Sequence, residues 1–249
     1  MCGIVGLYLK KKSLHSKLGA YLSEMLTNMS SRGPDSAGFA IYNNSKPDQC
    51  FKFSISFPIN FNLNNFQNDI NNQFKDIKTK KIVKNFDLSK FSGSHAIGHT
   101  RMATESAITL DGSHPYSTGE DECLVHNGSL SNHNNLRRKL LKKGIKFDSL
   151  NDTEVAAGYI SNELSKNKSM KKTLTNCLKD LDGFYTFIAG TNKGFAILRD
   201  EIACKPAVIA ENNDYVAIAS EFQAMAHLPK VNNAKIYEPE PGVVYTWGK

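Results

Sequence analysis

The sequence predicts an α+β protein in which two antiparallel sheets pack together with helices outside. Three observations lead there. Strand-like and helix-like stretches are mixed along the chain; its last third reads as a β meander; and 249 residues suffice to bury one substantial core, so the chain is expected to form a single domain, 1–249.

Residues 3–9 open the chain as a buried strand. Leu18, Leu22, Met25, Leu26 and Met29 then recur at helical spacing, which predicts an amphipathic helix ending near Ser30. Ser31 to Gly38 is turn-rich, and its Gly33-Pro34-Asp35 order forces the backbone round before a strand over 39–42. Phe51, Phe53, Ile55 and Phe57 alternate as a half-buried strand does, and Phe66, Ile70, Phe74 and Ile77 give a short helix. The Asn and Lys excess over 43–90 reads as compositional. A strand over 95–101 follows, and another over 122–126, which is expected to break at Asn127-Gly128; that pair normally marks a tight hairpin turn, but a helical pattern follows, so it reads as a strand-to-loop junction. Leu136, Leu140 and Leu141 mark a helix that ends at Gly144. Val155, Tyr159, Ile160 and Leu164 mark the next, with Asp152 as its natural N-cap, and Met170, Leu174, Cys177, Leu178 and Leu181 a third. The meander comprises 183–190, 194–200, 207–210, 215–220 and 243–247, with a short helix over 221–227.

The composition excludes several classes. Hydrophobic residues at 40% and charged ones at 22% fit a globular chain and not a disordered one. No apolar run approaches the roughly 18–20 residues of a membrane span, and no signal peptide precedes the first strand, so a cytoplasmic protein is expected. The formal charge of +7 gathers at Lys10–Lys12, Lys78–Lys84, Arg137–Lys146 and Lys166–Lys172, which read as solvated faces without a nucleic-acid motif. The five cysteines, Cys2, Cys50, Cys123, Cys177 and Cys204, are odd in number and lack a CxxC pair, so neither a disulfide framework nor a zinc site is indicated.

Chemistry concentrates in a few motifs. With Met1 removed, Cys2 carries a thiol and a free α-amino group on one residue, and an amine with a pKa of roughly 7.7–8.0 can accept the thiol proton near neutral pH. The plain alternative is a half-buried thiol at a strand start. Arg32 and Asp35 are site residues or turn residues. At Asn127-Gly128 a side-chain amide and a backbone N–H can both point into a cleft.

Cys2-Gly3-Ile4-Val5-Gly6, Arg32-Gly33-Pro34-Asp35-Ser36-Ala37-Gly38, Gly98-His99-Thr100-Arg101, His126-Asn127-Gly128 and Asn151-Asp152-Thr153-Glu154 stand in one order along one chain. Together they resemble the class II glutamine amidotransferases, whose glutaminase domain is an N-terminal nucleophile hydrolase with a four-layer α-β-β-α sandwich. The resemblance spans nearly the whole chain. It implies that Cys2 attacks the side-chain amide of glutamine to form a thioester, that Asn127 and the Gly128 N–H form the oxyanion hole, and that Arg101, assisted by Thr104, holds the substrate α-carboxylate. Asp152 would bind the α-ammonium, a role that competes with helix capping. Arg32, Glu105 and His114 would support the site, and His99, His114 and His126 would hydrogen-bond within its walls and not ligate metal. No cofactor is implied for this chain.

The sequence departs from the sugar-phosphate aminotransferase branch, which reads Arg-Trp-Ala-Thr-His where this chain has Arg101-Met102-Ala103-Thr104-Glu105. Glu105 there would repel the substrate carboxylate unless it points away. Residues 99–106 and 180–187 look most like the amidotransferase-type subunit of N-methylglutamate synthase and related split glutamate synthases. The resemblance therefore implies glutamine as substrate and separate glutamate-synthase-like partner subunits that carry flavin and iron-sulfur centres, with no nucleic acid and no membrane. Two alternatives stand beside it: an amidase for another γ-glutamyl amide, and a non-catalytic scaffold or regulatory subunit that keeps the fold.

Overall fold

The computed structural model describes residues 2–33, 36–43, 55–57, 91–102, 112, 114–117, 119 and 121–248. The alternation expected for 51–57 is described only at its end, and the helix expected over 66–77 lies outside the described residues.

Eleven strands are described: β1 (Gly3–Leu9), β2 (Ser36–Tyr42), β3 (Ile55–Phe57), β4 (His95–Arg101), β5 (Cys123–Leu130), β6 (Gly183–Thr191), β7 (Gly194–Arg199), β8 (Val208–Glu211), β9 (Tyr215–Ala219), β10 (Lys235–Tyr237) and β11 (Val244–Gly248). The α-helices are α1 (Leu18–Asn28), α2 (His133–Leu141), α3 (Asp152–Leu164) and α4 (Met170–Asp180). The first sheet has the order β10-β8-β9-β1-β4-β2-β3 and the second β11-β7-β6-β5, and every recorded pairing is antiparallel.

Side-chain parity sorts these strands into layers, because successive residues of a strand point to opposite faces. On β1, Val5, Leu7 and Leu9 pack under Leu18, Leu22, Met25, Leu26 and Met29 of the first helical stripe. Ile4 faces the other way and joins Ile97, Val125, Ile188, Ile197, Ile209 and Ile218 between the sheets. Outside the second sheet, Val155, Ile160, Leu174 and Cys177 of α3 and α4 cover Leu124, Tyr185, Phe187 and Leu198. The result is helix, sheet, sheet, helix, the α-β-β-α sandwich that the resemblance implies. Leu18, Leu22, Met25 and Met29 are each fully buried, and each such side chain contributes about 1.5–3 kcal/mol.

Four expectations change. The C-terminal strands are not one meander: after β7 the chain crosses to the first sheet for β8, β9 and β10, and β11 returns to the second. The segment over 221–227 is a 3-10 turn at Phe222–Ala224 followed by further turns. β5 does not break at Asn127-Gly128; it continues to Leu130 because β6 pairs with it throughout, Asn127 opposite Thr186 and Gly128 opposite Tyr185. Asp152 is not the N-cap of α3. Asn151 is, in an extended conformation, with its side chain accepting the Thr153 N–H at 2.9 Å.

Candidate active site

The same parity turns several of the predicted residues toward the layer between the sheets. On β4, His95, Ile97, His99 and Arg101 lie on the face that meets the second sheet, since Ile97 sits in the inter-sheet core and Thr100 points the other way to bond the Met29 carbonyl at 2.9 Å. On β5, Cys123 and Val125 belong to that core and Asn127 continues their face. Cys2 is two residues before Ile4, and because Gly3 pairs with Thr100 it sits beside the end of β4. His99 Nε2 closes the gap between the sheets at this end, 3.0 Å from the His126 carbonyl.

Cys2 is half-buried. Its Sγ lies 3.4 Å from the backbone N of Met102 and 3.6 Å from the Met102 carbonyl oxygen. Arg32 donates from Nε to the Cys2 carbonyl at 3.2 Å and pairs through its terminal nitrogen with Glu221. Arg32 is therefore tied to the candidate nucleophile as well as lying in a turn. Gly33 makes that approach possible: a Cβ there would fall 2.2 Å from the Thr100 carbonyl carbon, so only glycine lets this turn lie on β4. Behind β1, Ser220 Oγ accepts the Ile4 N–H at 3.0 Å and the Ser220 N–H bonds the Ile4 carbonyl at 3.0 Å, which fixes the strand start from the β9 side.

Asn127 is 2% exposed, and among the described residues its Nδ2 has no hydrogen-bond partner. An unsatisfied buried amide donor is costly, on the order of 1–3 kcal/mol, so its place in a candidate site is notable chemistry. Gly128 has φ +153°, and a Cβ there would meet the Phe184 carbonyl oxygen at 2.0 Å. Glycine carries the continuing strand past that carbonyl.

Arg101 is buried at 4% exposure, at the end of β4 opposite Ser36. Thr104 and Glu105 lie outside the described residues, as does Asp35. Asp152, freed from capping, turns to β5: its Oδ2 accepts the Leu130 N–H at 2.9 Å, and its Oδ1 is 3.9 Å from His126 Nδ1. His114 stacks on His99 with ring centroids 3.9 Å apart and lies 2.9 Å from Thr153 Oγ1. Burial pushes the His99 imidazole down to about 3 and His114 well below its ordinary range, with the Arg101 charge acting in the same direction on both. Burial also lowers His126, against the opposing pull of Asp152. These rings are neutral at neutral pH.

Sequence reasoning missed the Met102 backbone as a neighbour of Cys2, Ser220 as the partner of Ile4, Glu221 as the partner of Arg32, and Thr153 as a hub. Only Thr153 carries a local signal, within Asn151-Asp152-Thr153-Glu154; the others come into contact through pairing of distant strands. Among the described residues no group of His, Cys, Asp and Glu is placed to hold a metal, and no helix is long and apolar enough to cross a membrane. A cavity of about 680 Å³ opens at the other end of the second sheet, beside Asp121, Asn192 and Trp247, and is lined by none of the residues above.

A family profile described as "Glutamine amidotransferase domain" matches residues 99–227. The "Glutamine amidotransferase-like protein GlxB" of Rhizobium meliloti (strain 1021) is 44% identical, over 99% of this chain and 98% of that protein. The glutamine–fructose-6-phosphate aminotransferase [isomerizing] of Wigglesworthia glossinidia brevipalpis is 30% identical over 100% of this chain, which spans 37% of that longer protein. Among solved structures, the glutamine phosphoribosylpyrophosphate amidotransferase from B. subtilis superposes with a TM-score of 0.72 at 25% identity, covering 100% of this chain and 47% of that one.

Proposed function

This chain belongs to the glutamine amidotransferase domain family, and from that premise we propose that it carries out the glutaminase half-reaction and passes the released nitrogen to a separate subunit. Once Met1 is removed, the α-amino group of Cys2 takes the thiol proton and the thiolate attacks the side-chain amide carbon of glutamine. The Asn127 side-chain amide and the Gly128 N–H receive the developing oxyanion. The tetrahedral intermediate collapses with ammonia leaving, protonated by the α-ammonium, and water hydrolyses the γ-glutamyl thioester to glutamate. Arg101, with Thr104, holds the substrate α-carboxylate through charge-assisted bonds, and Asp152 takes the α-ammonium. Arg32 holds the Cys2 carbonyl, and His114 belongs to the wall behind the oxyanion strand.

The observation that carries this reading is the shared face. Cys2 immediately precedes β1, and Arg101 and Asn127 belong to β4 and β5 of different sheets, yet the parity of these strands faces all three toward the inter-sheet layer. A thiol, a guanidinium and an unsatisfied amide donor on one face suit an amide whose far end is anionic. In the test, the intact mass of the purified chain shows loss of Met1, and a glutamine-analogue electrophile adds to Cys2. A folded wild-type chain that keeps the electrophile off Cys2 and releases no ammonia from glutamine refutes the proposal.

For the acceptor we propose a glutamate-synthase-like subunit of the N-methylglutamate synthase kind, bearing the flavin and iron-sulfur centres. The support is the likeness of residues 99–106 and 180–187 to the amidotransferase-type subunits of those enzymes. Co-purification from the native source, with identification of the bound chains, tests it; a partner without such centres refutes it.

A further inference from the structure

The steps above leave unused a buried polar group behind the oxyanion strand. Thr153 Oγ1 lies 2.9 Å from His114 Nε2, 2.8 Å from His126 Nδ1 and 3.3 Å from Asp152 Oδ1. Thr153, His114 and His126 are 1%, 5% and 3% exposed, so these bonds are shielded from bulk solvent. A hydroxyl has one proton to give and lone pairs for two donors. The Asp152 oxygen accepts and does not donate, so the hydroxyl proton goes there and both imidazoles donate to Thr153. His126 then carries its proton on Nδ1 and His114 on Nε2. His99 carries its own on Nε2, because that nitrogen faces a carbonyl oxygen, the one on His126. One pattern of three neutral rings, one proton each, satisfies every one of these bonds.

The pattern brackets the oxyanion hole. Residues 152 and 153, at the start of α3, grip β5 at two points: Thr153 through the His126 ring, and Asp152 through the Leu130 N–H at 2.9 Å. Asn127 and Gly128 lie between those points. The other nitrogen of His126, Nε2, would be 2.7 Å from a Cβ on Gly128 and has no partner among the described residues, so the ring is held from Nδ1 alone while it rests against Gly128.

We propose that Thr153 is a positioning residue for glutaminase chemistry: its hydroxyl fixes the tautomer and orientation of His126 and so holds Asn127 and Gly128 where the oxyanion forms. The proposal rests on the glutaminase reading above. Valine has the shape of threonine without the oxygen, and it leaves two buried imidazole N–H groups without an acceptor. Asp152 keeps its bond to Leu130, so substrate binding should suffer less than turnover.

The experiment pairs kinetics with nitrogen-15 imidazole spectra of the full-length chain. For wild type the expected spectra show His126 protonated on Nδ1 and His99 and His114 on Nε2. Thr153→Val should lower kcat by about tenfold or more with KM within about threefold, and should shift the His126 tautomer; Thr153→Ser, which restores the oxygen, should recover both. A purely structural role would lower the melting temperature of Thr153→Val while leaving kcat and the His126 resonances in place. A wild-type His126 protonated on Nε2, or a Thr153→Val enzyme that turns over at the wild-type rate, overturns the proposal. If the valine variant does not fold, the wild-type spectrum decides alone. Failure of the underlying reading is distinct: a wild-type chain that shows the expected tautomers yet releases no ammonia from glutamine.

Discussion

Lowering the pH from 7 to 5 should destabilise this protein through His99, and the size of the effect follows from its burial. The ordinary imidazole value is 6.5, and in the fold His99 is pushed down to about 3, chiefly by burial and further by the Arg101 charge, against the bond to the His126 carbonyl. A depressed histidine favours the neutral form in the fold. Its contribution is complete above the unfolded pKa and is lost as pH falls from about 6.5 toward 3, because over that window the unfolded chain binds a proton that the folded chain refuses. The slope is about 1.4 kcal/mol per pH unit, which integrates to about 2 kcal/mol between pH 7 and 5. With a urea m-value of roughly 2–3 kcal/mol/M, the midpoint moves by roughly 0.7–1 M. Carboxylates and the other histidines also change over this range, so the assay compares wild type with His99→Gln. The glutamine amide can still donate to the His126 carbonyl but does not titrate. The acid shift of the urea midpoint should be smaller in the variant by the amount given. Equal shifts in the two proteins would show that His99 is not held neutral, and the assignment of one proton per ring behind β5 would fall with it.

Three further outcomes follow from single contacts. Gly128→Ala places a Cβ 2.0 Å from the Phe184 carbonyl at φ +153°, which β5 cannot relieve without parting from β6. A loss of about 3 kcal/mol or more, read as a melting point lower by roughly 6–12 °C, is expected, and an unchanged melting curve would refute the contact. Asn127→Ala should lower kcat by about 100-fold to 1,000-fold with the melting curve unchanged, as loss of one oxyanion donor does; a change confined to KM would assign Asn127 to ground-state binding. Arg32→Lys keeps a cation for Glu221 but loses the planar fork that also reaches the Cys2 carbonyl, so alkylation of Cys2 and ammonia release should both slow by about tenfold. Wild-type rates in this variant would confine Arg32 to the turn.

The layers of the fold were legible because they rest on local periodicity. Leu18, Leu22, Met25 and Met29 repeat at the helical period and bury against Val5 and Leu7, whose own alternation sets the face of β1. Which sheet a strand joins is a different matter. β8 and β9 are short and largely buried, and a run such as Tyr215–Ala219 has the same composition whether it pairs with β7 or with β1. The choice is made by partners far away in the chain, so the meander expected from sequence divides between two sheets. β10 carries no alternation to find, since Lys235 and Ile236 are both exposed.

The candidate site divides along the same line. Cys2, Asn127 and Arg101 stand out because their chemistry is unusual in or beside strands, and fixed parity then decides which face each one takes. Asn127-Gly128 misled as a strand break because local propensity describes a chain without a partner, whereas β6 offers eight residues of β5 a partner and Gly128 absorbs the distortion. Asn151 and Asp152 are equally good caps by residue type. What separates them is the Leu130 N–H at the edge of β5, which only the Asp152 carboxylate satisfies, so Asn151 is left to close the helix. A cap taken by Asp152 would leave that edge donor unmet and release one of the two points that hold Asn127 and Gly128. The register of α3 on β5 therefore sets the helix start and the placement of the candidate oxyanion donors together.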